Sequence, residues 1–226
     1  MRGEPHAELR DRREDGHPLH HLVWRLGPGV RVCSSAVLGG GIGPRAWILN
    51  AQVPGGYPRL DPDRHLAEIA AAEGLTGPGA GLMTAADVAA YTTCHDDGVT
   101  ATVTTGLGVR GWAAAPDTAA PETATPGPAV RAPHRPGTVN IVLTLPAALS
   151  DAALINAVAT ATEAKVQALL DAGLDCSGTP TDAVCVAAPE PGPDGGEPFA
   201  GPRSTWGARI ARAVHTAVLA GARPAR

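Results

Sequence analysis

Lysine is almost missing from this chain. Of 226 residues 18 are Lys or Arg, and Lys165 is the only lysine among them. Aromatics are nearly as scarce, with one Phe, two Tyr and four Trp, so Val, Leu, Ile and Ala must fill the core. The cysteines Cys33, Cys94, Cys176 and Cys185 lie far apart with no CxxC pair. That spacing excludes a zinc ribbon or a disulfide framework and leaves four small hydrophobes. The histidines form no HExxH and no other metal-ligand spacing, and no GK[ST] of a P-loop occurs. Excess positive charge is lacking too: net charge is -4 and the pI is near 6.0. A nucleic-acid partner, which needs a basic stripe to meet phosphates, is therefore not expected. No apolar run reaches the roughly 18 residues that read as a membrane span. The first residues, MRGEPHAELRDRREDGHPLHH, lack the apolar centre of a signal peptide. The expectation is a soluble, cytoplasmic protein without a membrane partner, its oligomeric state left open.

What is present is a globular composition, 44% hydrophobic, in a length that suits one domain. Residues 1 to about 18 are charged and broken by Gly and Pro, and read as a disordered tail. Strands are expected over His21–Leu26, Val30–Ser35 and Ala46–Val53, and a helix over Asp61–Glu73 that stops at Gly74. Thr84 is placed to cap a short helix after Gly79–Met83. Val99–Thr105 alternates with the period of a strand. From Ala113 to Pro136 the composition collapses to Ala, Pro, Thr and Gly. This stretch cannot pack a core and reads as a dispensable loop insert between two strands.

Gly137 to Pro189 is the best-formed stretch: a strand over Thr138–Leu145, a helix from Ser150 to about Ala172, a hydroxyl-rich loop, and a strand over Asp182–Ala188. Ser204–Leu219 closes the chain as an amphipathic helix. The order predicts an α/β (or α+β) fold, a single layered domain over 19–222 with a central β-sheet and packed helices.

In a background rich in Arg, a solitary Lys suggests a task that needs a compact ammonium able to lose its proton. On a wheel of about 100° per residue, Ile155, Val158, Val166 and Leu169 define the apolar face of the long helix, with Thr162 near its middle. Lys165 falls on the shoulder of that face and Glu163 roughly 160° away from Lys165. The loop Cys176–Asp182 (CSGTPTD) offers Thr179, Thr181 and the Asp182 carboxylate beside Gly178, and starts soon enough after the helix for Asp182 to pack near Lys165. Ser34 and Ser35 precede a glycine run that is neither GxGxxG nor a P-loop. They also lack the GxSxG context of a serine nucleophile. Asp87 near Thr84 has a structural reading as a helix-terminal carboxylate. For each of these groups a local structural role stands beside the chemical one.

Taken in order, the phrases CSSAVLGGG (33–41), ILNAQV (48–53), GLMTAADV (81–88), TVTTGLGVRGW (102–112), GTVNIVLTLPAALSDAALINAVATATEAKVQALLDAG (137–173) and SGTPTDAVCVA (177–187) resemble the adenosylcobinamide amidohydrolase family. The combination is specific, although no single phrase is. The tail and the Ala/Pro-rich insert lie outside it. The resemblance implies hydrolysis of the amide joining a corrin propionate to aminopropanol, giving adenosylcobyric acid in corrinoid (vitamin B12) salvage. The corrinoid would be the substrate and not a cofactor; a metal is disfavoured by the absence of ligand spacing, with convergence of Asp87, Glu163 and Asp182 in space as the alternative.

Amide hydrolysis needs an activated nucleophile, donors for the oxyanion and a proton for the leaving amine. The polar members of the matching phrases are the candidates. Lys165, Asp182 and Glu163 are expected to be catalytic. Ser34, Ser35, Thr84, Asp87, Asn140, Asn156, Thr179 and Thr181 are expected to bind substrate, with Asn50 and Thr162 as further polar members. A close Asp182 would oppose proton loss from Lys165 and favour an electrostatic role for it. Two other readings stay open: a corrinoid-binding protein without turnover, and an amidohydrolase acting on a different amide.

Overall fold

A computed structural model of the chain describes residues 5–116 and 137–223. Two β-sheets lie face to face with helices on both outer sides. The first sheet has the order β1 (Glu8–Glu14), β2 (His17–Arg25), β5 (Trp47–Gln52), β6 (Gly79–Thr84). The second has the order β4 (Gly41–Pro44), β3 (Val30–Ser34), β10 (Ala183–Pro189), β9 (Val139–Thr144), β8 (Val99–Thr105), β7 (Thr92–Asp96). Within them β5–β6 and β9–β10 run parallel, and the other neighbours antiparallel. The layered mixed fold is as expected, but the one central sheet is in fact two.

Side-chain alternation explains the layers. In β2, Leu22 and Trp24 point between the sheets while Val23 points outward; in β5, Ile48 points in while Trp47, Leu49 and Ala51 point out. The outward residues meet Leu66, Ile69 and Ala70 of α1 (Pro62–Ala72). In the second sheet Val142, Cys185 and Ala187 face the first sheet. Val139, Ile141, Leu143, Val184 and Val186 face α2 (Asp151–Asp171) and α3 (Thr205–Ala222). A strand covered on both faces must be apolar at nearly every position, which is why β9 reads VNIVLT without polar alternation.

Two sequence readings need correction. Residues 8–18 are not a tail: Glu8–Glu14 form an edge strand paired with β2. Its polar sequence, ELRDRRE, suits an edge that must discourage further pairing. The buried face of α2 is also not the one the bulky residues suggested. Ile155 is 58% exposed and Thr162 is exposed. The buried positions are Ala153, Leu154, Ala157, Thr160, Ala161, Ala164, Lys165, Ala168 and Leu169. Alanines carry little hydrophobic weight on a wheel, yet their small size lets α2 approach α3 and the sheet closely. Ser150 caps this helix, accepting from the Ala153 amide at 3.2 Å. Most of the 113–136 insert lies outside the described residues.

Candidate active site

A cavity of about 550 Å³ opens at one end of the sandwich, between the sheets. Its floor is set by strand direction: the carboxyl ends of β3, β5 and β6 meet the amino ends of β9 and β10 there. Thus Ser35, Thr84, Thr138, Asn140, Thr181 and Asp182 line one space together with Tyr57 and Val53.

Asp182 is the most heavily bonded group. Its Oδ1 accepts from the Val139 amide at 2.8 Å and from the Thr179 hydroxyl. Its Oδ2 accepts from the Thr179 amide at 3.1 Å and from the Lys165 ammonium. A carboxylate has about four acceptor positions, so this one is full. Both side chains are largely buried, with Lys165 9% and Asp182 12% exposed. Gly178 makes the arrangement possible. It holds φ +146, and a Cβ there would stand 2.2 Å from Asp182 Oδ2 and 2.5 Å from Lys165 Nζ. The loop is pinned from outside as well, since Gly111 exchanges backbone hydrogen bonds of 3.0 Å with Ser177 and Gly178. Asp182 lines the cavity, whereas Lys165 is not among its lining residues. The ammonium therefore stands behind the carboxylate.

A second polar feature ties the sheets together behind the cavity. Asn140 Nδ2 donates to Asn50 Oδ1 at 2.8 Å and to the Met83 carbonyl at 3.1 Å. Asn50 Nδ2 in turn donates to Thr104 Oγ1 at 3.0 Å. Asn50, Thr104 and Asn140 are each 1% exposed. Two acceptors around one nitrogen fix the orientation of the Asn140 amide. Its two donors are spent internally, while its Oδ1 has no hydrogen-bond partner and the residue lines the cavity.

The remaining candidates divide cleanly. Ser35 is exposed in the cavity, and its Oγ accepts from the Val184 amide at 3.1 Å. Thr181 is there too, its hydroxyl 2.7 Å from that of Thr138. Thr84 lines the cavity, but it accepts from the Ala86 amide and caps no helix; the short 3₁₀ turn at Val88–Ala90 is capped by Asp87 instead. Ser34 is buried outside the cavity, accepting from the Ala36 amide at 2.9 Å and 2.7 Å from Cys185 Sγ. Burial pushes the Cys185 thiol up to about 12, which keeps it protonated. Thr179 serves Asp182. Asn156 and Glu163 are corrected outright: both are exposed on α2, which covers the outer face of the second sheet, and neither reaches the cavity. Among the described residues no three His, Cys, Asp or Glu are grouped to hold a metal, so Asp87, Glu163 and Asp182 do not converge.

Tyr57 and Thr138 were missed. Tyr57 is one of only two tyrosines, and the rarity that singled out Lys165 applies equally to it. Thr138 looked like ordinary strand sequence.

A hydroxyl-, amide- and carboxylate-lined mouth between two sheets, with few bulky side chains, is the layout of an enzyme site for a polar bond. Comparison with known proteins specifies the class. A family described as adenosylcobinamide amidohydrolase matches residues 4–225. An adenosylcobinamide amidohydrolase of Methanosarcina mazei is 33% identical over 194 residues, 83% of this chain and 88% of that protein. One of Halobacterium salinarum is 47% identical over 92 residues, 41% of this chain and 38% of that protein. The chain belongs to the adenosylcobinamide amidohydrolase family. No helix among the described residues is long and apolar enough to cross a membrane.

Proposed function

We propose that this protein hydrolyses the amide between the corrin propionate and aminopropanol of adenosylcobinamide, releasing adenosylcobyric acid for corrinoid salvage. The carrying observation is the coincidence of the cavity with the family's phrases. Ser35, Thr84, Asn140, Thr181 and Asp182 come from four separate matching segments and line one space. Its volume lies in the range of small-molecule sites. It suits an amide arm, while the flat ring rests at the mouth, where Val37 is 53% exposed.

In this reading Asp182, held by Lys165 and the Thr179 loop, fixes the wall and its negative charge rather than taking a proton. Ser35 Oγ, oriented by the Val184 amide, and the Thr138–Thr181 hydroxyl pair contact the substrate carbonyl or the attacking water. Only water is consumed; no resident cofactor or metal takes part, and the work is done in the cytoplasm without a nucleic-acid partner. The test is mass-spectrometric detection of 1-amino-2-propanol and adenosylcobyric acid from adenosylcobinamide. Tight binding without product would establish a corrinoid carrier instead, and turnover of another amide in a substrate panel would move the specificity.

A further inference from the structure

Beside the cavity, three side chains from three parts of the chain form a line. Tyr57, in the loop after β5, lines the cavity. Its hydroxyl lies 2.9 Å from Nδ1 of His65, in the first turns of α1. The other ring nitrogen, Nε2, lies 3.2 Å from Glu14 Oε1 at the end of β1. The phenol and imidazole rings are parallel to within 4°, their centroids 5.6 Å apart. The His65 side chain is 5% exposed. A carboxylate beside Nε2 selects the tautomer protonated there and leaves Nδ1 to accept from the phenol. Glu14 is held in turn by Arg12, whose guanidinium donates to Oε2 at 3.1 Å. Burial raises the Tyr57 phenol above its ordinary value, which keeps its proton on the oxygen at rest.

We infer that Tyr57, backed by His65 and Glu14, is the proton-transfer residue of this site. The inference rests on the hydrolysis proposed above. Water attacks the amide carbon and a C–O bond forms. The water proton passes to the Tyr57 oxygen as the phenol proton moves to His65 Nδ1. The imidazolium so formed sits between the phenol and the Glu14 carboxylate. When the tetrahedral intermediate collapses the C–N bond breaks, and the proton returns through Tyr57 to the leaving nitrogen, giving acid and amine with His65 neutral again. Tyr57 is the catalytic residue of the line; His65 and Glu14 position and supply it.

The experiment is steady-state release of 1-amino-2-propanol from adenosylcobinamide by the full chain and its variants. Tyr57→Phe keeps the ring and removes the hydroxyl. It is expected to lower kcat about 100-fold, the usual lower bound for a lost acid–base group, with KM little changed. Glu14→Gln should lower kcat by less. In His65→Gly, added imidazole should restore part of kcat, because a cavity of about 400 Å³ lined by His65, Glu14 and Arg12 gives it access. The rescue should vanish in the Tyr57→Phe/His65→Gly double variant. A cluster that merely latches β1 onto α1 would change thermal stability and KM but not kcat, and would not respond to imidazole. Wild-type kcat in Tyr57→Phe overturns the inference alone, and that variant decides the matter if His65→Gly fails to fold. A wild-type protein that releases no aminopropanol overturns both readings.

Discussion

The two polar clusters beside the cavity are built on opposite plans. On the second sheet the Asp182 carboxylate has four donors and no free acceptor position. On the side of the first sheet and α1, the fully buried His21 has the Glu73 carboxylate 2.9 Å from Nε2 but no hydrogen-bond partner at Nδ1. Nearby, His65 joins two groups that can each give or take a proton. A saturated carboxylate is costly to disturb and holds a shape; an incompletely satisfied network can change its protonation state during a reaction. In the reading proposed above, this difference separates scaffold from chemistry.

The largest effect should come from breaking the saturated side. Asp182→Ala strands a buried ammonium and frees two backbone amides, so urea unfolding should show a loss of about 3–5 kcal/mol. Lys165→Ala leaves Asp182 three of its donors. Its loss should be smaller, about 1.5–3 kcal/mol as for a hydrogen bond to a charged group, while aminopropanol release falls at least about a hundredfold because the cavity wall loses its anchor. If Lys165→Ala were the more destabilising of the two, the hub would be the lysine and the comparison would be inverted.

Next comes the tie between the sheets. Asn140→Ala removes the donor to Asn50 Oδ1 and the Met83 carbonyl, both inside the protein, and should cost about 1–3 kcal/mol by the same unfolding measurement.

A subtler effect lies on the unsaturated side. Burial holds His21 below its ordinary value, against a smaller raising influence of Glu73 2.9 Å away. The folded state therefore resists taking up this proton. Stability should be complete above the ordinary histidine value of about 6.5 and should fall as pH drops through it, because the unfolded chain binds the proton first. His21→Leu should flatten urea midpoints measured between about pH 5 and 8. The smallest effect is expected from deleting residues 114–135, whose Ala, Pro and Thr cannot build a core; the melting temperature should stay that of the intact chain.

Much of the frame was legible in sequence because strands buried on two faces are apolar runs and α2 and α3 carry serine caps. Val99–Thr105 and the start of β3 at Val30 are read to the residue. What failed had little side-chain signal. β1 and β7 are polar edge strands (ELRDRRE, TTCHD), while β4 and β6 are rich in glycine (GIGP, GAGLMT). Their strand state comes from the partner each one pairs with, which lies elsewhere in the chain. The Lys165–Asp182 pairing was legible because loop and helix adjoin. The Tyr57–His65–Glu14 line was not, since it joins residues from the first strand, a loop and a helix that only the packing of α1 on its sheet brings together.

The route of the chain through the two sheets also sets an order in time. Strand β3 is made early, yet its neighbour on the inner side is β10, and the paired Ser34 and Cys185 are 151 positions apart. During synthesis the β3–β4 hairpin must therefore wait, one edge unpaired, until nearly the whole polypeptide has emerged. Ser35 receives its orienting hydrogen bond from Val184 of that same late strand. An incomplete nascent chain thus has no finished site, and any pause before β10 prolongs the interval in which an apolar edge is open to the wrong partner.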